Sequence, residues 1–119
     1  MYIYMNKFKK LNSYEERLYQ STSIMKKYPD RIPVIIQKDK KLKTPDIDKN
    51  KYLVPNELKI NQLLFTIRNR IKLDKNQAIF LFNENIVLKS SDSISYIYDQ
   101  YKDEDGFLYI NYSLENTFG

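Results

Sequence analysis

The chain of 119 residues contains no cysteine and no histidine. Without cysteine, disulfides, thiolate catalysis and cysteine-bound zinc are excluded, nothing points to an oxidising compartment, and a cytoplasmic setting is the expectation. Without histidine, the commonest general base and the commonest metal ligand are missing, which leaves carboxylates alone for acid/base work. Four prolines and two glycines provide no Gly/Ser or Pro-rich linker, and no repeat or low-complexity tract appears, so one domain is expected at this length. No run approaches the roughly 20 apolar residues of a membrane span, and Met1-Tyr2-Ile3-Tyr4-Met5 is too short and polar for a signal-peptide core. Any membrane attachment is therefore expected to be peripheral or covalent.

What is present is a globular composition, 42% hydrophobic and 14% aromatic, with 29% charged residues, outside the range of disordered chains. The net charge of +5 is concentrated in the first half: residues 1–59 carry 14 basic and 7 acidic side chains, residues 60–119 carry 6 and 8. Such asymmetry suits an acidic partner, a membrane surface or nucleic acid, and equally a solvated lysine-rich face. A basic RNA- or anionic-lipid-binding domain is thus an alternative reading. The tyrosines fall at core periodicity, however, and no RNA-recognition segment of the K/R-G-F/Y type occurs, so nucleic acid is not the expected partner.

Local patterns place the elements. Ser13-Tyr14-Glu15-Glu16 has the capping-box form, predicting a helix over 14–27 that Pro29 ends. Residues 32–36, Ile-Pro-Val-Ile-Ile, read as a strand buried on both faces. Residues 38–50 read as a loop, and 51–54 as a short strand that Pro55 stops and marks as an edge. Ile60, Leu63, Leu64, Ile67 and Ile71 line one helical face. Residues 78–82 and 86–88 read as strands around a turn, Ile94, Ile97, Tyr98 and Tyr101 repeat the helical spacing, and 107–112 is the last strand before a polar tail. The order fits an α+β domain with helices on one mixed sheet, the β-grasp among the possibilities. Asp103-Glu104-Asp105 reads as a solvated turn, its adjacent acids being wrongly spaced for a metal loop, so no catalytic residue, metal or cofactor is expected.

Lys27-Tyr28-Pro29-Asp30-Arg31-Ile32-Pro33-Val34-Ile35 resembles the signature of the autophagy ubiquitin-like modifiers, the microtubule-associated light-chain-3 and GABA-receptor-associated-protein relatives. The resemblance continues through Asp48-Lys49-Asn50-Lys51-Tyr52-Leu53-Val54-Pro55, Ile67-Arg68-Asn69-Arg70-Ile71 and Asp105-Gly106-Phe107-Leu108-Tyr109-Ile110, without a gap over about residues 6–119. It implies a ubiquitin-like β-grasp with two additional N-terminal helices, here about Lys7 to Leu11 and Tyr14 to Lys27. The single domain, 1–119, would comprise a helical extension over 7–27, a core over 28–112 and a flexible tail over 113–119.

The resemblance also implies a modifier, not an enzyme, whose terminal glycine, Gly119, is joined to phosphatidylethanolamine. Activating, carrier and cysteine-protease enzymes would be its pathway partners, and the cytoplasm and the autophagosome or another vesicle membrane its locations. An edge strand at residues 51–54 offers unpaired amides and carbonyls to an added peptide strand, whose alternate side chains enter pockets. By resemblance the ligands are cargo receptors and adaptors with an aromatic-x-x-aliphatic motif. Ile24, Pro33, Ile35, Lys51, Leu53 and Phe107, with Gln20 at the rim, would line the aromatic pocket. Tyr52, Val54, Pro55, Leu58, Leu63 and Ile67 would form the aliphatic one, and Lys49, Lys51 and Arg70 would meet acidic residues flanking the motif. Gln20 stands where relatives often have an acidic residue, Thr66 replaces a usual aliphatic, and Leu88-Lys89 a common Pro-Pro.

Overall fold

The Ser13 hydroxyl accepts a hydrogen bond from the Glu16 amide at 3.1 Å, and the Glu16 carboxylate accepts from the Ser13 amide at 2.8 Å. Two amide donors that a helix start leaves unpaired are thereby satisfied. These two bonds hold Glu16 below the usual carboxylate range. The cap opens a helix at Tyr14–Lys27, as its sequence pattern predicts. Ser13→Ala is expected to lower stability by about 1 kcal/mol, read from the denaturant midpoint.

A computed structural model of the chain describes residues 7–39, 45–74 and 76–114. In chain order the elements are α1 (Lys7–Leu11), α2 (Tyr14–Lys27), β1 (Arg31–Lys38), β2 (Lys51–Pro55), α3 (Ile60–Arg70), β3 (Ile79–Asn83), β4 (Ile86–Val87), α4 (Ile94–Tyr101) and β5 (Leu108–Leu114). One five-stranded sheet has the order β2-β1-β5-β3-β4. β1 runs antiparallel to β2 and parallel to β5, while β3 is antiparallel to both β5 and β4. The fold is α+β.

Local chemistry explains the placement. β1 lies between two neighbours, so Ile32, Pro33, Val34, Ile35 and Ile36 are all buried, as a strand covered on both faces requires. Pro33 opposes Leu53 of β2, one residue before pairing with β5 begins at Val34; its missing N–H falls where the strand has a neighbour on one side only. Ile60, Leu63 and Ile67 of α3 and Ile94, Ile97 and Tyr98 of α4 turn inward. They pack with Val34, Ile36, Val54, Leu81, Leu108 and Ile110 in the main core. On the opposite face of the sheet Phe8, Ile35, Phe107 and Tyr109 form a second, smaller core under α1.

Three expectations need correction. β1 continues to Lys38, past the predicted end, because Gln37 and Lys38 still pair with Asn111 and Tyr112 of β5. Ser113 and Leu114, expected in a tail, are the last residues of β5 and are buried. They oppose Phe80 and Ile79 of β3, and the Ser113 hydroxyl bonds to Asp39 at 2.5 Å. The expected tail residues 115–119, Gly119 among them, lie outside the described residues, as do loop residues 40–44.

The third correction concerns the acidic triplet, which is not a solvated turn. Asp105 is fully buried. Its carboxylate accepts hydrogen bonds from the Arg17 guanidinium at 2.6 Å, the Tyr109 hydroxyl at 2.5 Å and the Phe107 amide at 2.9 Å. Its backbone carbonyl accepts from the Ser21 hydroxyl at 2.5 Å, and Asp103 accepts from Lys9 at 2.7 Å. Burial would raise the Asp103 pKa, but the bonds from Lys9 and the Asp105 amide hold it below its ordinary value. Gly106 follows at φ +89°, where a Cβ would collide with the Ser21 side chain; only glycine lets α2 and this turn approach so closely. The triplet is therefore the joint that fastens α1 and α2 to the sheet.

Candidate functional site

β2 pairs with β1 on one side and has no strand on the other among the described residues, so its outward amides and carbonyls face away from the sheet. The register is Lys51 opposite Ile35, Tyr52 opposite Val34, Leu53 opposite Pro33, Val54 opposite Ile32 and Pro55 opposite Arg31. Because side chains alternate along a strand, Lys51 and Leu53 share the face of Ile35, beneath the N-terminal helices. Tyr52 and Val54 share the face of Val34, over α3. The edge thus presents two chemically distinct faces, and the residues predicted for the two pockets divide between them, except that Pro55, predicted with Tyr52 and Val54, shares the face of Lys51 and Leu53.

On the helical face, the Lys51 ammonium donates to the Gln20 amide oxygen at 2.9 Å, which joins β2 to α2. Gln20 in turn donates to Asn12 at 3.2 Å. Lys51 also lies 5.6 Å from the centre of the Phe8 ring, and Phe8 meets Phe107 edge-on at 5.2 Å. Ile35 and Phe107 are fully buried, so they form a floor, while Ile24 and Leu53 are half-buried and reach the surface. Phe8 and Asn12 did not emerge from sequence reasoning; the only signal for Phe8 was a lone aromatic within a short basic stretch.

On the other face, Val54, Leu63 and Ile67 are buried in the main core, with Tyr52 and Leu58 packed half-exposed against it. The Tyr52 ring has the Lys49 ammonium at 5.3 Å on its centroid and the Arg70 guanidinium at 5.7 Å. Burial pushes the Tyr52 phenol up, the Arg70 charge opposing this and Asp48 adding to it. Its hydroxyl is buried and has no hydrogen-bond partner among the described residues. Arg70 is held by Asp48 at 3.1 Å, an ion pair that sequence reasoning missed. The three predicted cations therefore sit along this one edge. Among the described residues no group of His, Cys, Asp and Glu could hold a metal ion, and no helix is long and apolar enough to cross a membrane.

A β-grasp sheet with helices on both faces, an open edge and a C-terminal strand at its centre defines a ubiquitin-like protein. The sequence model described as "Autophagy protein Atg8 ubiquitin like" matches residues 16–119, and the chain belongs to this family. It is a ubiquitin-like modifier and not an enzyme. It is 51% identical to autophagy-related protein 8e of Arabidopsis thaliana over 118 residues, covering 97% of each chain. It is 49% identical to autophagy-related protein 8 of Mycosarcoma maydis over 112 residues, covering 94% of this chain and 95% of the relative. Among solved structures, Trypanosoma brucei ATG8 superimposes with a TM-score of 0.88 at 36% identity, over 94% of this chain and 97% of that one. Plasmodium falciparum Atg8, solved in complex with a Plasmodium falciparum Atg3 peptide, superimposes with a TM-score of 0.83 at 36% identity, over 92% and 96%.

Proposed function

We propose that this autophagy modifier is joined through Gly119 to phosphatidylethanolamine on autophagosomal membranes. There it recruits cargo receptors and adaptors that carry an aromatic-x-x-aliphatic motif. The observation that carries the second half is the open β2 edge with its two unlike faces. An extended peptide added to β2 gains main-chain hydrogen bonds along its length. Residues three apart on a strand point to opposite faces, so the motif's aromatic enters beside Lys51 and Leu53 while its aliphatic enters between Tyr52, Val54 and Leu58. The first half is supported by family membership and by the chemistry of a side-chain-free terminal residue. A partnership with activating, carrier and protease enzymes fits the Plasmodium relative, which was solved with a peptide of Atg3. Location in the cytoplasm, and on the autophagosome once lipid-linked, follows from the same reading.

The test of the edge is Tyr52→Ala combined with Leu53→Ala, one truncation on each face. Binding of an aromatic-x-x-aliphatic peptide, followed by calorimetry, is expected to weaken by about 2 kcal/mol or more, with the thermal transition still cooperative. Unchanged affinity in a folded double variant would remove the edge from the account. Salt-dependent binding to RNA or anionic vesicles that ignores both substitutions would instead favour a charge-driven surface.

A further inference from the structure

The two elements that flank the aromatic site are clasped together by one hydrogen bond. Lys51 Nζ of β2 donates to Gln20 Oε1 of α2 at 2.9 Å, and a ring seated between the half-buried Leu53 of β2 and Ile24 of α2 enters the gap that this bond spans. The rest of the rim fixes the clasp from behind. Gln20 donates its amide nitrogen to the Asn12 side-chain oxygen at 3.2 Å, and Asn12 donates its own to the Phe8 carbonyl at 3.0 Å. The Gln20 amide is thereby oriented, its nitrogen toward Asn12 and its oxygen toward Lys51. Neighbouring carboxylates are spent elsewhere, Asp103 on Lys9 at 2.7 Å and Asp105 on Arg17 at 2.6 Å. The clasp is therefore a charged donor facing a neutral acceptor.

We propose that Gln20 and Lys51 make this site select tyrosine over tryptophan and phenylalanine as the aromatic residue of the bound motif. The inference rests on the peptide-binding reading above. A ring that enters the gap parts the clasp, and each half then needs a new partner. Phenylalanine supplies none and leaves both halves to water. An indole N–H is a donor only, so tryptophan meets the Gln20 oxygen but offers the Lys51 ammonium nothing to donate to. A phenol hydroxyl both accepts and donates. Tyrosine can therefore be spliced into the clasp, accepting from Lys51 while donating to Gln20. A hydrogen bond from an ammonium is stronger than one between neutral groups, so the half that tryptophan forfeits is the stronger one. Leu53 and Ile24 hold any ring, and the clasp tells the rings apart.

Three peptides test this, identical except that the aromatic of an aromatic-x-x-aliphatic motif is tyrosine, tryptophan or phenylalanine. On the unaltered protein the tyrosine peptide is expected to bind about three-fold or more tightly than either of the others, the clasp being open to competing water. Gln20→Leu with Lys51→Met keeps the apolar bulk and removes both polar groups; it should bring the tyrosine-to-phenylalanine ratio close to one, with the phenylalanine peptide still bound. Gln20→Glu converts the acceptor to a carboxylate, to which an indole N–H donates more strongly, and should raise the tryptophan-to-phenylalanine ratio. If tryptophan or phenylalanine binds the unaltered protein as tightly as tyrosine, or the preference for tyrosine survives in the double variant, the clasp does not select, although the edge stands. An unchanged tryptophan-to-phenylalanine ratio in Gln20→Glu would place the clasp outside the ring's reach and overturn the proposal as well. If none of the three peptides binds the unaltered protein, the edge reading itself fails, and the selection with it.

Discussion

Replacing Asp105 by alanine is expected to lower stability by about 3–5 kcal/mol, the range for breaking a buried ion pair by deleting one partner. The Arg17 guanidinium would remain mostly buried, its side chain 11% exposed, with its charge unmatched. The Phe107 amide and the Tyr109 hydroxyl would lose their acceptor as well. Chemical denaturation should show the loss directly. Because the same carboxylate ties the turn at 103–106 to α2, the variant should also lose the near-ultraviolet signal of the Phe8, Phe107 and Tyr109 cluster before the rest of the fold melts.

The network also sets an alkaline limit. Burial, then the hydrogen bond and charge of Asp105, hold the Tyr109 phenol well above its ordinary range, and burial does the same for Tyr112. A phenol whose pKa is raised by folding contributes stability that is fully present below the unfolded value near 10. That contribution is lost as pH rises above it, because the unfolded chain then releases a proton the folded chain retains. Stability should therefore fall above about pH 10, and Tyr109→Phe should flatten that fall.

Deleting Gly119 is expected to abolish lipid attachment outright in a reconstituted conjugation reaction, with peptide binding unchanged. In the proposed sequence the Gly119 carboxylate displaces pyrophosphate from ATP to give an acyl-adenylate. An enzyme cysteine then displaces AMP to give a thioester, and the amine of phosphatidylethanolamine displaces that thiolate to form an amide. Each step needs an unhindered carbonyl, and a residue without Cβ can pass a narrow channel in backbone angles closed to others. β5 carries the chain as far as Leu114, the root of the C-terminal segment. That root lies two strands from β2, at the end of the sheet where Leu114 opposes Ile79. The groove and the terminus are therefore separable by mutation. A mass increase corresponding to acquired lipid in the deleted protein would overturn the terminal-glycine chemistry.

The parts of this molecule that sequence made legible are those whose causes are local. Ser13 and Glu16 cap a helix three residues apart, and Ile60, Leu63 and Ile67 repeat with the helical period. Pro55 at the end of a short apolar run pointed to an edge, and β2 is one. What escaped were contacts between distant residues. Arg17 and Asp105 are separated by 88 positions, and nothing adjacent to Asp105 distinguishes it from its exposed neighbour Glu104. Ser113 looked like the start of a tail because its hydroxyl partner, Asp39, is 74 positions away. The site residues were named by family resemblance, and the sheet sorts them onto two faces. It also shows what a residue roster could not: Ile35, Phe107, Leu63 and Ile67 are core first, so any ligand touches them only as the floor beneath Leu53, Tyr52 and Leu58.

The central pairing of β5 with β1 has a mechanical consequence. On the proposed attachments, tension enters the domain through the residues after Leu114 and leaves through whatever is seated on β2. Force directed along β5 is resisted by a parallel ladder in which five residues, Val34 to Lys38, oppose Leu108 to Tyr112. It then crosses a second five-residue ladder from β1 to β2. Inter-strand hydrogen bonds run across the strands, so a pull along them loads the rungs together in shear rather than peeling them one at a time. A tether between a membrane and a heavy cargo is thereby strongest in the direction in which it would be pulled.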